Sequence, residues 1–475
     1  MIENFEHKGL WFLPSNPLKK VHGILKYNYE NNINVLELIG SFYDYSEHNG
    51  EEIILGVTTN GDEITLAECQ FTSSTGIPRN KLEKLPFNIK DRLPTLNFIV
   101  TYILKGQHIL KKDDLTFQKV YVEIFNFDEW VGVSGLETDV DYENSTKTIH
   151  FKTPKPIHIK LNNDFEMQIK FTSNHPMRFQ FSKELKLSQR TILSFHSKKY
   201  NTIHEFTYLL RKFNNFLTAS LQKPVRIQNM QLYCDKFTKT VGVNHKIEKA
   251  IEGYQIINPE LKFEERTQDW EMFFSYNDIK IDFETIIQKW FANYEKFEEP
   301  FNLVFSQYYF SKYFIESLFI NVAQAAESFH RRLELVDDIP KTEQDKSFNN
   351  KRNIILENTP EELKKWVKSQ ITKPQHFYDT RLKYLLKEFS NSELDKMIGD
   401  HAEFVKYVTI SRNYYTHYNR KQEKGAANGF NLIVLYEKLR LLLMCSFLIE
   451  SGFNKPLIEK LLNEKAYNVF SYLRK

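Results

Sequence analysis

Up to about residue 200, apolar and polar positions alternate with a period of two. The clearest cases are Ile157-His-Ile-Lys-Leu161 and Phe165-Glu-Met-Gln-Ile-Lys-Phe171, and such alternation sends successive side chains to opposite faces of a half-buried strand. Asn162, Asn163 and Asp164 separate the two segments. These residue types tolerate the positive φ of a tight turn, so the pair predicts an antiparallel hairpin. Val35 to Ile39, Glu52 to Val57, Phe98 to Leu104 and Val120 to Phe125 read as further strands, with Asn60-Gly61-Asp62 as a turn signal. An antiparallel sandwich or barrel is expected.

Near residue 202 the period changes. Ile203, Phe206, Leu210, Phe213 and Leu217 fall on one stripe of a helix that Lys223-Pro224 should end. Strands then resume, and a helix from Phe283 to Phe297 leads into Glu298-Glu299-Pro300, read as the boundary between a β-rich region, 1–300, and a helical one, 301–475. Within the second region a helix from about 308 to 334 places Phe314, Leu318, Val322, Ala325 and Phe329 on one face. Polar residues 341–350 are expected to interrupt the helical pattern. Helices follow near 360–371, 377–389 and 400–421, and a nearly all-apolar one at 432–449 should be the buried centre of a bundle. The fold class is thus α+β multidomain, an antiparallel β-rich region followed by an all-α bundle, without internal repeats.

Composition agrees with large cores. The 475 residues suffice for two or three domains, and 39 Phe and 25 Tyr supply bulky apolar volume. A formal charge of +3 does not by itself name a nucleic-acid or membrane partner. Cys69, Cys234 and Cys445 are scattered and odd in number, which fits a reducing compartment and predicts a cytoplasmic protein. The start Met1-Ile-Glu-Asn-Phe-Glu-His lacks the basic-then-apolar pattern of a targeting segment. The apolar run Leu441 to Ile449 is far shorter than the roughly 20 residues a membrane span needs, so no membrane association is expected.

Several chemistries have no motif here. No Gly-rich phosphate loop precedes Lys-Ser or Lys-Thr, no dinucleotide fingerprint appears, and the Gly-x-Ser-x-Gly elbow is missing. Asp139, Asp141, Glu143 and Asn144 alternate somewhat like a calcium loop but lack its turn glycine. The 14 histidines show no zinc-site spacing, and no metal or other cofactor is expected.

One polar cluster remains, Ser411-Arg-Asn-Tyr-Tyr-Thr-His-Tyr-Asn419, directly before the apolar helix. Spacing alone is weak evidence, because 15 arginines and 14 histidines make an Arg and a His five to seven positions apart expected about once by chance. Arg190 and His196 are such a pair, and their place in a strand-like segment marks them as coincidence. Helical geometry adds more. Phe404, Val408, Tyr415 and Tyr418 share a stripe that should face the core, with Arg412 at its edge and Asn413 and His417, four apart, on roughly the opposite side. A solvated helical face carrying no chemistry is the competing reading. Tyr414, Tyr415 and Tyr418 are likewise either packing or a base-stacking platform, with Tyr414 the candidate for contact with RNA.

Arg-Asn-Tyr-x-Thr-His-Tyr, placed on the penultimate helix of a bundle, resembles the signature of HEPN domains. A β-rich N-terminal half followed by such a bundle resembles the ApeA proteins of bacterial abortive-infection defence against phage. The resemblance covers the region from about 300, and earlier only the general layout and aromatic positions such as Trp130. It implies metal-independent RNA cleavage, in which the ribose 2′-hydroxyl attacks the adjacent phosphate. His417 would serve as base or acid, Arg412 would bind phosphate oxygens, and Asn413 would orient the imidazole. It also implies a homodimer whose two bundles share a composite cleft. Transfer-RNA anticodon loops are implied as substrate, and a phage-derived signal, sensed by the N-terminal region, as activator. Glu327 and Arg331 are four apart on the first bundle helix, with His330 and Arg332 beside them; the plainer reading is a helical ion pair, and the resemblance makes Glu327 a candidate supporting residue.

Residues 341–388 hold 11 Lys or Arg against 7 Asp or Glu. Lys364, Lys365 and Lys368 there, and Lys421 in the loop 420–429, are candidate RNA contacts, against the plainer reading of solvated surface. The rival function is a non-catalytic bundle that binds RNA or a protein partner.

Overall fold

The computed structural model describes residues 4–28, 31, 33–43, 50–75, 95–174, 183, 186–242, 245–255, 266–309, 314–336, 343–371, 377–418, 420–469 and 473. The chain forms two compact units, 1–291 with 308–311, and 292–307 with 312–475.

The first unit begins with six antiparallel strands, β1 (Phe5–Leu13), β2 (Asn16–Asn28), β3 (Ile33–Ile39), β4 (Glu51–Thr58), β5 (Glu63–Thr75) and β6 (Thr95–Lys105). They run in the order β6-β3-β2-β1-β4-β5, and β5 returns to β6 with Ile64 opposite Lys105 and Leu66 opposite Ile103, which closes a barrel. Closure removes the free edges that an open sheet leaves unpaired. The alternation read from the sequence sorts inward from outward residues, and Leu36, Leu38, Ile54, Ile64, Leu66, Phe98 and Val100 form the interior around Trp11. Gly56 is required there, because a Cβ on it would come within 2.3 Å of the Trp11 ring.

An open sheet continues from β6. Its strands are β7 (Thr116–Ile124), β10 (Ile157–Lys160), β11 (Phe165–Ser173), β12 (Gln189–Thr202), β13 (Ile227–Tyr233) and β16 (Ile251–Gln255), with two exposed hairpins, β8 (Leu136–Asp141) with β9 (Thr146–Phe151) and β14 (Thr238–Val241) with β15 (His245–Glu248). The β10–β11 hairpin sets Ile159 opposite Met167, and Asn162 Oδ1 closes its turn by accepting the backbone N–H groups of Asp164 and Phe165, each at 2.8 Å. The acidic run near residue 141 is also a hairpin turn, in which Asp141 Oδ1 accepts from the N–H groups of Glu143 and Asn144.

The helix Ile203–Leu221 buries all five residues of its apolar stripe. A capping box between Thr202 and Glu205 starts it, and Gln222 ends it in the left-handed region. Trp130 lies fully buried among Phe127, Phe213, Phe216 and Tyr276, and its Nε1 donates to Ser220 Oγ at 2.8 Å.

The second unit is helical. Glu298-Glu299-Pro300 form the first turn of the helix Glu298–Phe305, where proline is tolerated because that turn's N–H groups have no intrahelical partner. The helices Ile315–Val336, Tyr378–Phe389, Ser392–Ile398 and His401–His417 surround Gly429–Glu450, whose residues Leu439 to Leu448 are buried without a break. Phe301, Phe329 and Phe447 meet at its heart, with ring centroids 4.5 to 5.0 Å apart from Phe447. Among the described residues no helix is long and apolar enough to cross a membrane.

Four expectations need correction. The long helix starts at Ile315 rather than near 308, leaving Phe314 82% exposed instead of on the core face. Residues 343–350 do not interrupt the helical pattern but belong to the helix Glu343–Glu357, whose exposed Ile354 and Ile355 gave no core-facing stripe to read. The helix of the polar cluster stops at His417, four residues early, because Tyr418 turns into the left-handed region with φ 48°. That helix is also not penultimate, since both Gly429–Glu450 and Lys455–Val469 follow it.

Candidate functional site

The helix His401–His417 starts where Asp400 Oδ1 accepts the Glu403 N–H at 2.8 Å, and its inner side buries Phe404, Val405, Val408 and Ser411. Ser411 Oγ accepts the Ala427 N–H at 2.9 Å, and the Tyr415 hydroxyl donates to the Ala427 carbonyl at 2.8 Å. Two side chains of the polar cluster thus hold the segment that leads into the central helix. At the far end Tyr418, expected in the core, is 65% exposed.

Arg412 is held on three sides. Its Nη2 donates to Glu327 Oε2 at 3.1 Å, its Nη1 to Asn413 Oδ1 at 3.1 Å, and its guanidinium carbon sits 5.4 Å from the centre of the Tyr378 ring. The Tyr378 hydroxyl donates to the Ala323 carbonyl at 3.1 Å, which fixes the ring beneath the cation. Burial pushes the Tyr378 phenol up, and the Arg412 charge pulls against that shift. Glu327 also accepts from Arg331 Nη2 at 2.7 Å, so one carboxylate aligns two guanidinium groups.

Arg412, Glu327 and Arg331 line a cleft of about 500 Å³ together with Ile320, Gln324, Ser328 and Thr416. Positions 324, 327, 328 and 331 recur at helical spacing and so present one face of Ile315–Val336. Two guanidinium groups against one carboxylate leave the cleft with a positive balance. Planar donors in that arrangement match the oxygens of a phosphate.

His417 lies elsewhere. Five positions separate it from Arg412, which on a helix means about 140° around the axis and about 7.5 Å along it. Its side chain is exposed, does not line the Arg412 cleft, and has no hydrogen-bond partner among the described residues. Asn413 does not orient the imidazole. Its amide oxygen is taken by the adjacent guanidinium, a charge-assisted bond that outcompetes a contact across one helical turn. One chain therefore brings together Arg412, Asn413 and Glu327 and leaves His417 on another face.

The remaining candidates scatter. Lys364, Lys365 and Lys368 lie on Glu361–Gln370, a helix with no buried residue, and Lys364 is paired with Glu361. They do not line the Arg412 cleft. Lys421 is exposed on the short helix Arg420–Glu423. Tyr414 packs edge-to-face on Tyr415 and Tyr418, with centroids at 4.9 and 5.7 Å. His330 is buried and shares a hydrogen bond with Arg381 Nη1 at 2.9 Å. Asn419 lies outside the described residues. Among the described residues no group of three or more His, Cys, Asp or Glu side chains converges as metal ligands do.

Sequence reasoning missed Tyr378 and the roles of Ser411 and Tyr415 in holding Ala427. No local pattern signals Tyr378, which approaches Arg412 from a separate helix. The Glu327 and Arg331 spacing was visible, and its meeting with Arg412 was not.

Residues 6–290 match the family described as ApeA N-terminal domain 1, and residues 320–457 match Apea-like HEPN. Neither a curated protein nor a solved structure matches the chain. The first match alone covers more than half of the sequence, and the two lie in the order seen in the fold. With its β-barrel region followed by a nuclease-type helical bundle, the chain belongs to the ApeA family of anti-phage defence proteins.

Proposed function

We propose that the C-terminal unit is a metal-independent endoribonuclease acting in abortive infection. Arg412 binds the scissile phosphate, Glu327 and Asn413 position its guanidinium, and Arg331 adds a second cation to the same cleft. The 2′-hydroxyl attacks the adjacent phosphorus as a base takes its proton, and the 5′-oxygen leaves as an acid protonates it. The products are a 2′,3′-cyclic phosphate and a 5′-hydroxyl. His417 supplies an imidazole for one of these proton transfers, and a second copy of the chain supplies the other. A homodimer is required because one chain holds one such histidine, turned away from its own Arg412. Transfer RNA is the proposed substrate, and the N-terminal unit the proposed sensor of a phage-derived activator in the bacterial cytoplasm.

The observation that carries this reading is the Arg412 guanidinium, fixed by Glu327 and Asn413 over Tyr378 and presented to an open cleft. A buried structural arginine would spend all its donors on the fold. The exposure and separate facing of His417 favour a second reading, a bundle that binds RNA or a protein without cutting. The two part on one experiment, incubation of wild type and His417→Ala with total bacterial RNA in EDTA, with and without phage lysate. Fragments ending in 2′,3′-cyclic phosphate from wild type alone are expected. Equal cleavage by both proteins, or none by either under any condition, overturns the nuclease reading in favour of binding.

A further inference from the structure

The end of the His417 helix carries a second concavity, of about 500 Å³, apart from the Arg412 cleft. Four aromatic rings line it, Phe314, Tyr414, Tyr415 and Tyr418, together with the carboxylates of Glu316 and Glu423. The three tyrosines pack edge-to-face into one aromatic wall, with interplanar angles of 67°, 67° and 88° and centroids 4.9 to 6.3 Å apart. Phe314 and Tyr418 are 82% and 65% exposed, so both rings are open to a ligand.

The charge of this site is negative. Neither Glu316 nor Glu423 is engaged by a cation among the described residues. Burial first, and then the Glu316 carboxylate, push the Tyr415 phenol up, which places that charge against the ring. Glu316 also stands in the first turn of its own helix, where an acid suits the helix dipole. That accounts for one carboxylate and for none of the rings. The faces of aromatic rings carry negative charge density, so rings and carboxylates act together on a cation. An anion such as RNA phosphate would be repelled by the same groups. The neighbouring clefts thus differ in sign, two arginines lining one and two glutamates the other.

We infer that the pocket of Phe314, Tyr414, Tyr415 and Tyr418, flanked by Glu316 and Glu423, binds a small organic ammonium ion. The exposed rings of Phe314 and Tyr418 contact its alkyl groups, and the carboxylates neutralise its charge. This inference does not depend on RNA cleavage, since binding is read directly.

The test is calorimetric titration of the full chain with choline, with spermidine, and with 3,3-dimethyl-1-butanol, which has the shape of choline without its charge. Either ammonium should bind with a dissociation constant on the order of 1 mM or tighter, and the neutral isostere at least about tenfold more weakly. Tyr418→Leu should weaken binding about tenfold and Tyr418→Phe less than about twofold, because phenylalanine keeps the ring face. The double variant Glu316→Gln, Glu423→Gln should also weaken it about tenfold. Circular dichroism melts confirm that each variant is folded, which these partly exposed positions allow. Equal binding of choline and its isostere would show a merely apolar pocket, and no binding of either ammonium at about 10 mM would show no cation site. Either result overturns the inference.

Discussion

Two Arg and His pairs with nearly the same sequence spacing occupy opposite kinds of backbone, β12 in the first unit and the His401–His417 helix in the second. Along a strand, Arg190 and His196 are carried about 20 Å apart, too far to act on one phosphate group. Each is engaged locally, Arg190 with Glu123 at 3.4 Å and His196 with Ser194 at 3.0 Å. Burial, and then the charge of Lys170, push the His196 imidazole down to about 4. On the helix, Arg412 and His417 stay within about 7.5 Å along the axis. Arg412 is presented to a cleft and His417 to solvent. Residue type and spacing were shared, and the local backbone geometry decided what each side chain meets.

The largest expected effect breaks this comparison directly. His417→Ala and Arg412→Ala should each lower the rate of RNA cleavage by about 10² to 10⁴-fold, as loss of a proton-transfer or charge-stabilising group does. Arg190→Ala and His196→Ala should leave that rate within about twofold of wild type. Equal losses from both pairs would mean that the effects come from stability and not from chemistry.

Next in size is the positioning of Arg412. Glu327→Gln keeps the shape but removes the charge that holds two guanidinium groups. Loss of one charge-assisted hydrogen bond, about 1.5 to 3 kcal/mol, corresponds to a fall in cleavage of about 10- to 100-fold. Circular dichroism should show the fold intact. A rate unchanged from wild type would separate Glu327 from the function of the cleft.

Ser411→Ala probes the hold on the segment before the central helix. It leaves the Ala427 N–H without its acceptor, for an expected loss of about 1 to 3 kcal/mol in denaturant unfolding. The matching probe of the sheet is smaller and depends on pH. Because the folded state holds His196 near 4, below its usual 6.5, the unfolded chain binds the extra proton between those values. The His196 contribution is therefore fully present above about 6.5 and is lost as pH falls toward 4. Thermal melts of wild type and His196→Gln should diverge over that window by a few degrees, with wild type falling the more steeply.

Much of the fold was legible because it is local. Alternation at Ile157 to Phe171 located a hairpin, and the stripe from Ile203 to Leu217 located a helix that buries it. The continuous apolar character of Leu441 to Leu448 identified the centre of the bundle. Legibility failed where stabilisation is not apolar or not local. Glu343–Glu357 is a helix without a core-facing stripe, and the stop at Tyr418 has neither glycine nor proline to announce it. A left-handed tyrosine costs free energy that only its surroundings can offset.

The sequence by itself determined the two kinds of architecture and the resemblance that the family matches bear out. Tertiary structure alone decided that β5 closes on β6, that Arg412 meets a carboxylate 85 positions earlier in the chain, and that His417 faces away from that meeting. The reason is physical. Periodicity follows from the backbone of a few neighbouring residues, whereas the partner of a guanidinium or the edge of a sheet depends on which distant segments the cores bring into contact.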